Sequence, residues 1–156
     1  MTPTGLTLGH REPADADHWI RALAPAPEVA CTHLLRTPQP HVAISLSPAT
    51  DALPPGATAS PAAAAAHGLS GRAVVFPGWA GLVGTVTAHT VLTTSAIEEI
   101  AVLGGGTLDP DDEIDTRDHV RPVYLDGVLT LQVTPVAGGR WAPFEVPDPT
   151  PCCAGH

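Results

Sequence analysis

The chain has 156 residues and a formal charge of -9, from 16 acidic residues against 7 basic ones; every basic residue is arginine, and lysine and asparagine are absent. At this length one self-sufficient domain over 1–156 is expected, with no need of disulfides to hold a core. Aromatic residues at 4% and charged residues at 15%, beside 18 prolines and 15 glycines, exclude a coiled coil, a collagen-like repeat and a charged disordered chain. The missing lysine removes Schiff-base and Walker-type mechanisms. Arg11, Arg21, Arg36, Arg72, Arg117, Arg121 and Arg140 are scattered, whereas binding a phosphate backbone needs clustered cations, so no nucleic-acid partner is expected.

Residues 1–20 have neither the basic start nor the apolar stretch of a signal peptide. The longest low-charge stretch, 73–97, is broken by Pro77, Gly78, Gly81 and Gly84, so no membrane span is expected. A cytoplasmic setting, with reduced cysteines, is the corresponding expectation.

In chain order, 15–24 places Trp19, Ile20 and Leu23 on one helical stripe ended by Pro25. Residues 28–36 and 41–46 read as two strands of a hairpin around the Pro38/Pro40 turn. Residues 48–66 form a Pro/Ala-rich loop, in which Ser60-Pro61 can cap a short helix running to Ala66 and ended by Gly68. Short strands are expected at 72–76, 82–87 and 89–93, with a bend at Gly78–Gly84. Ser95-Ala96-Ile97-Glu98 has the form of a capping box, predicting a helix from about Ala96 to Leu103 that stops at Gly104. An acidic loop spans 109–118. Asp126-Gly127 between two alternating apolar runs is a hairpin signal, and with 140–146 it predicts a C-terminal three-stranded meander. The expected class is α+β, a small, mainly antiparallel sheet or partly closed barrel with two or three short helices; a doubly wound parallel fold lacks its long helices here.

The chemistry-bearing pattern is a set of cysteines and histidines. Cys31 and His33 lie two apart in a predicted strand and so share a face. The segment 147–156 adds Cys152, Cys153 and His156. Cys31, His33, one of Cys152 and Cys153, and His156 make the Cys2His2 set favoured by tetrahedral zinc, and another thiophilic metal would also suit the thiolates. Adjacent residues of an extended chain point apart, so one of the two terminal cysteines is expected to ligate. The simpler use of these residues is packing, with Cys31 a small buried apolar group. Thiol catalysis through Cys31 with His33, or Cys153 with His156, has no surrounding nucleophile signature.

Other candidates have ready structural uses. Asp109 to Asp115 lacks the glycine and the terminal glutamate of an EF-hand and reads as a solvated acidic loop, with local pairs among Asp115, Arg117 and Asp118. Glu98 is expected to cap its helix and Glu99 to face solvent. His89 is expected in a strand, buried and bonded to neighbouring threonine hydroxyls, and His41 and His119 flank strands that could share a cavity. Gly68-Leu69-Ser70-Gly71 lacks the last glycine of a nucleophile elbow, and Gly104–Gly106 reads as a helix stop. The leading expectation is a small metal-binding protein. The alternatives are an interaction or assembly module with a protein partner or a second copy, and an enzyme with a pocket that pairs His33, His89 or His119 with Glu99 or Asp118.

Overall fold

The computed structural model describes residues 2–147. It contains eleven strands and three α-helices: β1 (Thr4–His10), α1 (Pro13–Arg21), β2 (Val29–Leu35), β3 (His41–Ser47), β4 (Thr58–Ala59), α2 (Pro61–Ala66), β5 (Arg72–Val75), β6 (Thr85–Thr87), α3 (Ala88–Thr94), β7 (Glu99–Val102), β8 (Glu113–Asp115), β9 (Val123–Leu125), β10 (Val128–Val136) and β11 (Arg140–Pro143). The strands form one open, mixed sheet in the order β4-β1-β3-β2-β5-β9-β10-β11-β8-β6, with β7 added alongside β10. Most pairs are antiparallel; β7 with β10 and β8 with β11 are parallel. The class is thus α+β and mostly sheet, and the sheet does not close into a barrel.

Hydrophobic alternation explains how the first half is layered. On β3, Val42, Ile44 and Leu46 face Ala16 and Ile20 of α1, together with Ala30 of β2, Leu6 of β1 and Val74 of β5. The opposite face carries a row of small residues in register across four strands. Gly5 pairs with Ser45, Ser45 with Cys31, and Cys31 with Ala73. That row lets α2 lie close: a Cβ on Gly5 would come within 2.1 Å of the Ser60 carbonyl oxygen and 2.4 Å of the Ala64 nitrogen. Ser60 caps α2, its hydroxyl accepting from the Ala63 N–H at 3.3 Å, with Pro61 at the first helical position. A second core continues from Cys31 and Ala73 to Phe76, Val91, Ile97, Leu129 and Leu131.

The hairpin of β2 and β3, the first helix and α2 stand where the sequence pattern places them. Asp126 (φ 50°) and Gly127 (φ 85°) make the two-residue turn joining β9 to β10, a left-handed pair that the Asp-Gly dipeptide suits.

Two segments exchange the secondary structure expected of them. Residues 89–93 are helical, within α3. The Thr87 hydroxyl accepts from the Thr90 N–H at 3.1 Å, and the Thr93, Thr94 and Ser95 hydroxyls donate to carbonyls four residues back at 2.7–2.8 Å. Side chains that usually favour strands thus satisfy the helix backbone locally. In place of the helix at 96–103 the chain forms strand β7. Ser95 is spent on the end of α3, the Glu98 N–H donates to the Leu129 carbonyl at 2.8 Å, and Ile100 and Val102 pack on the core beside β10. Gly104–Gly106 therefore follow a strand, and Glu98 caps nothing. Strands β1, β4 and β8 stand in segments to which the sequence pattern assigned none. No helix among the described residues is long and apolar enough to cross a membrane.

Candidate functional site

Strand lengths open a cleft. β5 starts at Arg72, which pairs with Thr32 on one side and Val123 on the other. Both neighbours run further, β2 through His33, Leu34 and Leu35 and β9 through Tyr124 and Leu125. Ser70 and Gly71 turn away between them, the Gly71 carbonyl accepting from the Tyr124 N–H at 2.9 Å. The gap left by the missing strand length is a cleft of about 600 Å³ that these residues line together with Pro13, Ala66 and Gln132. Its mouth is apolar: Leu34 is 77% exposed and Leu125 47%. Leu69, 61% exposed, lies beside the β9–β10 turn, its carbonyl accepting from the Gly127 N–H at 3.1 Å.

His33 lies on the wall of this cleft. It is buried, and its Nε2 lies 2.8 Å from the Ser45 hydroxyl. The Ser45 oxygen lies 2.6 Å from His67 Nδ1, and His67 Nε2 lies 3.0 Å from the Ser47 hydroxyl. Four side chains from β2, β3 and the end of α2 thus form one hydrogen-bonded line over the small-residue row. Burial, and then the neighbouring His67, pull the His33 pKa down to about 4, so the ring is neutral at pH 7; burial also lowers that of His67. Among the described residues His33 Nδ1 has no hydrogen-bond partner, and the one such side-chain nitrogen or oxygen sealed from solvent is His10 Nδ1. His33 Nδ1 is therefore not sealed from solvent, and His33 is among the residues that line the cleft. Gly71, at φ 101°, makes room for the ring itself: a Cβ there would stand 2.5 Å from Cε1 and 2.6 Å from Nδ1.

Arg72, on the cleft wall, is fully engaged. Its five N–H groups go to Asp17 Oδ1 and Oδ2, Glu145 Oε1 and Oε2, and the Thr32 hydroxyl, at 2.6–3.3 Å. Arg121 Nε donates to Asp17 Oδ2 at 2.9 Å, and His119 Nε2 lies 2.6 Å from Glu145 Oε2. Burial alone would raise both carboxyl pKa values, but hydrogen bonds and charge from Arg72, aided by Arg121 at Asp17 and His119 at Glu145, lower them, Glu145 to about 2. Two carboxylates thus balance two guanidiniums. The cluster ties α1, β5 and the segment after β11 together, and it leaves Arg72 no free donor for an anionic ligand.

Cys31 and His33 share a face, as the strand spacing requires. Burial pushes the Cys31 thiol up to about 12, partly offset by the adjacent Ser45 hydroxyl and Gly68 backbone, so at neutral pH it is a packed thiol and not a thiolate nucleophile. Cys152, Cys153 and His156 lie outside the described residues. Among the described residues no group of three or more His, Cys, Asp and Glu side chains is disposed to hold a metal ion.

The other histidines do not converge on one pocket. His89 is exposed on α3, in place of the buried strand position expected of it. His119 joins Glu145, and His41 Nδ1 lies 2.8 Å from the Gln39 carbonyl oxygen, beside a separate cleft of about 730 Å³ flanked by Arg11 and Arg36. Glu98, Glu99 and Asp118 are exposed. Asp118 accepts from the Gly84 N–H at 2.8 Å, and Asp115 pairs with the Arg117 backbone N–H at 3.1 Å. Sequence reasoning missed Ser45, Ser47 and His67, and also Asp17, Arg72, Arg121 and Glu145, because only strand register and long-range packing bring them together. No family model, curated protein or solved structure matches the chain.

Proposed function

We propose that the protein is a binding module whose cleft between β2 and β9 takes an uncharged, largely apolar guest, anchored by His33 Nδ1. The observation that carries this is the contrast between the two basic side chains on the cleft wall: Arg72 has every donor engaged, whereas neutral His33 keeps one nitrogen without a partner. With no uncommitted charge on the wall and leucines at the mouth, an ionic guest would lose hydration without gaining a partner. The guest is either a small molecule or the apolar side chain of a protein partner.

The test is a protein-observed NMR screen of small alicyclic and aromatic fragments, each in an uncharged and an anionic form. Uncharged fragments are expected to shift Leu34, Gly71, Tyr124 and Leu125 saturably, and Leu34→Glu is expected to weaken them at least tenfold. Binding of anionic fragments alone, beside Arg11 and Arg36, would refute the proposal. Elemental analysis under reducing conditions addresses the competing zinc reading. One equivalent of zinc, lost on replacing Cys152 and Cys153 by serine, would put the Cys31, His33 and His156 set in its place.

A further inference from the structure

Along the line His33, Ser45, His67, Ser47 a continuous chain of donors and acceptors has two proton arrangements. The Ser45 hydroxyl has one proton and stands between two ring nitrogens, His33 Nε2 at 2.8 Å and His67 Nδ1 at 2.6 Å. With its proton on this line it donates to one ring and accepts from the other; with its proton turned to the neighbouring Cys31 thiol it would accept from both. If it donates to His67, then His33 carries its proton on Nε2 and leaves Nδ1 bare toward the cleft, while His67 carries its proton on Nε2 and donates to Ser47. If it donates to His33, then His33 carries its proton on Nδ1, and so does His67, whose Nε2 accepts from Ser47. With the Ser45 proton on the line the two neutral histidines hold the same tautomer, whereas with it on the Cys31 side they would hold opposite ones.

We propose that His33 is a two-way anchor: coupled through Ser45 to His67 and Ser47, it offers the cleft either a bare Nδ1 or an Nδ1–H, so the site takes uncharged guests of either hydrogen-bonding sense. A ketone or amide carbonyl selects the Nδ1–H arrangement, and an alcohol, phenol or N–H group selects the bare one. This rests on the guest-binding reading above and adds a specificity rule to it. The interchange balances. One proton enters at His33 Nδ1, the protons between His33 and Ser45, Ser45 and His67, and His67 and Ser47 each cross one hydrogen bond, and one leaves the half-buried Ser47 hydroxyl to water. No ion stays in the buried line, which is what its low-dielectric surroundings require. The placement of the ring depends on Gly71, since a Cβ there would stand 2.6 Å from Nδ1 and displace it.

The experiment is long-range ¹H–¹⁵N NMR of the histidine rings at neutral pH, on the free protein and with saturating cyclohexanone or phenol. In the free protein His33 and His67 are expected to be neutral with matching tautomers. Cyclohexanone is expected to bring both to Nδ1–H and phenol both to Nε2–H, although His67 does not line the cleft. In Ser45→Ala, His33 should still follow the guest while His67 no longer does. Opposite tautomers in the free protein, a protonated ring in the pair, or a change at His33 that leaves His67 unmoved would overturn the inference. If neither probe shifts Leu34 or Tyr124, the guest-binding reading fails with these probes, while the free-protein tautomers still decide the coupling.

Discussion

Gly71 and His33 show how one residue makes another usable. At φ 101° glycine is the residue the backbone favours, and the absent Cβ is what lets the histidine ring pack against its Cα. Gly71→Ala is expected to destabilise the fold by roughly 1–3 kcal/mol, from backbone strain and displacement of the ring, in chemical unfolding. It should also abolish guest-induced shifts at Tyr124. His33 itself gives a pH signature. Its pKa is about 4 in the folded protein against an ordinary value of 6.5, so between these values the unfolded chain binds the extra proton. Stability from this group is complete above pH 6.5 and declines as the pH falls toward 4, by on the order of 3 kcal/mol for a shift of this size. Urea midpoints measured from pH 7.5 to 4 should show that slope, and His33→Gln should flatten it. Glu145, held at about 2, adds a second loss at lower pH, as the solution falls from the usual glutamate range toward 2. His33 was legible in the sequence because two-residue spacing puts it on the face of Cys31. Ser45 and His67, 12 and 34 positions away, carry no local mark of their partnership.

At the scale of elements, patterns held where local chemistry and tertiary packing agree. The proline-led α2 with its Ser60 cap, the stripe of α1 and the Asp-Gly turn were all readable. α3 and β7 were not, because a Thr-rich stretch was able to pay its helix cost with three hydroxyl-to-carbonyl bonds, and an apparent capping box faced an open edge of β10. Thr87→Ala is therefore expected to cost about 1 kcal/mol in thermal or urea unfolding, as loss of an N-cap does, while Glu98→Gln, exposed and capping nothing, should change stability little. The ion cluster acts between elements. Asp17 links α1 to Arg72 of β5 and to buried Arg121. Asp17→Ala, which leaves two guanidiniums short of a partner, should cost roughly 3–5 kcal/mol in urea unfolding. Glu145→Gln, at a side chain about a third exposed, should cost less.

Across the whole molecule, the α+β class and the mainly antiparallel sheet could be read from short strands, turn signals and few helices. The cleft could not, since it arises from a mismatch in strand length, β5 starting at Arg72 between two neighbours that run on. Composition had suggested that function would reside in rare cysteines. Two of those cysteines lie outside the described residues, which place a neutral histidine in a largely apolar gap and commit Arg72 to structure. The most direct test is to locate a bound guest by intermolecular NOEs, with cyclohexanone or phenol at saturation. Contacts from the guest to the Leu34 and Leu125 methyl groups and the Tyr124 ring, lost in Leu34→Glu, are the expected result. Contacts confined to Arg11 and Arg36, or to the separate apolar cleft beside Trp19 and Leu23, would contradict a binding site at His33.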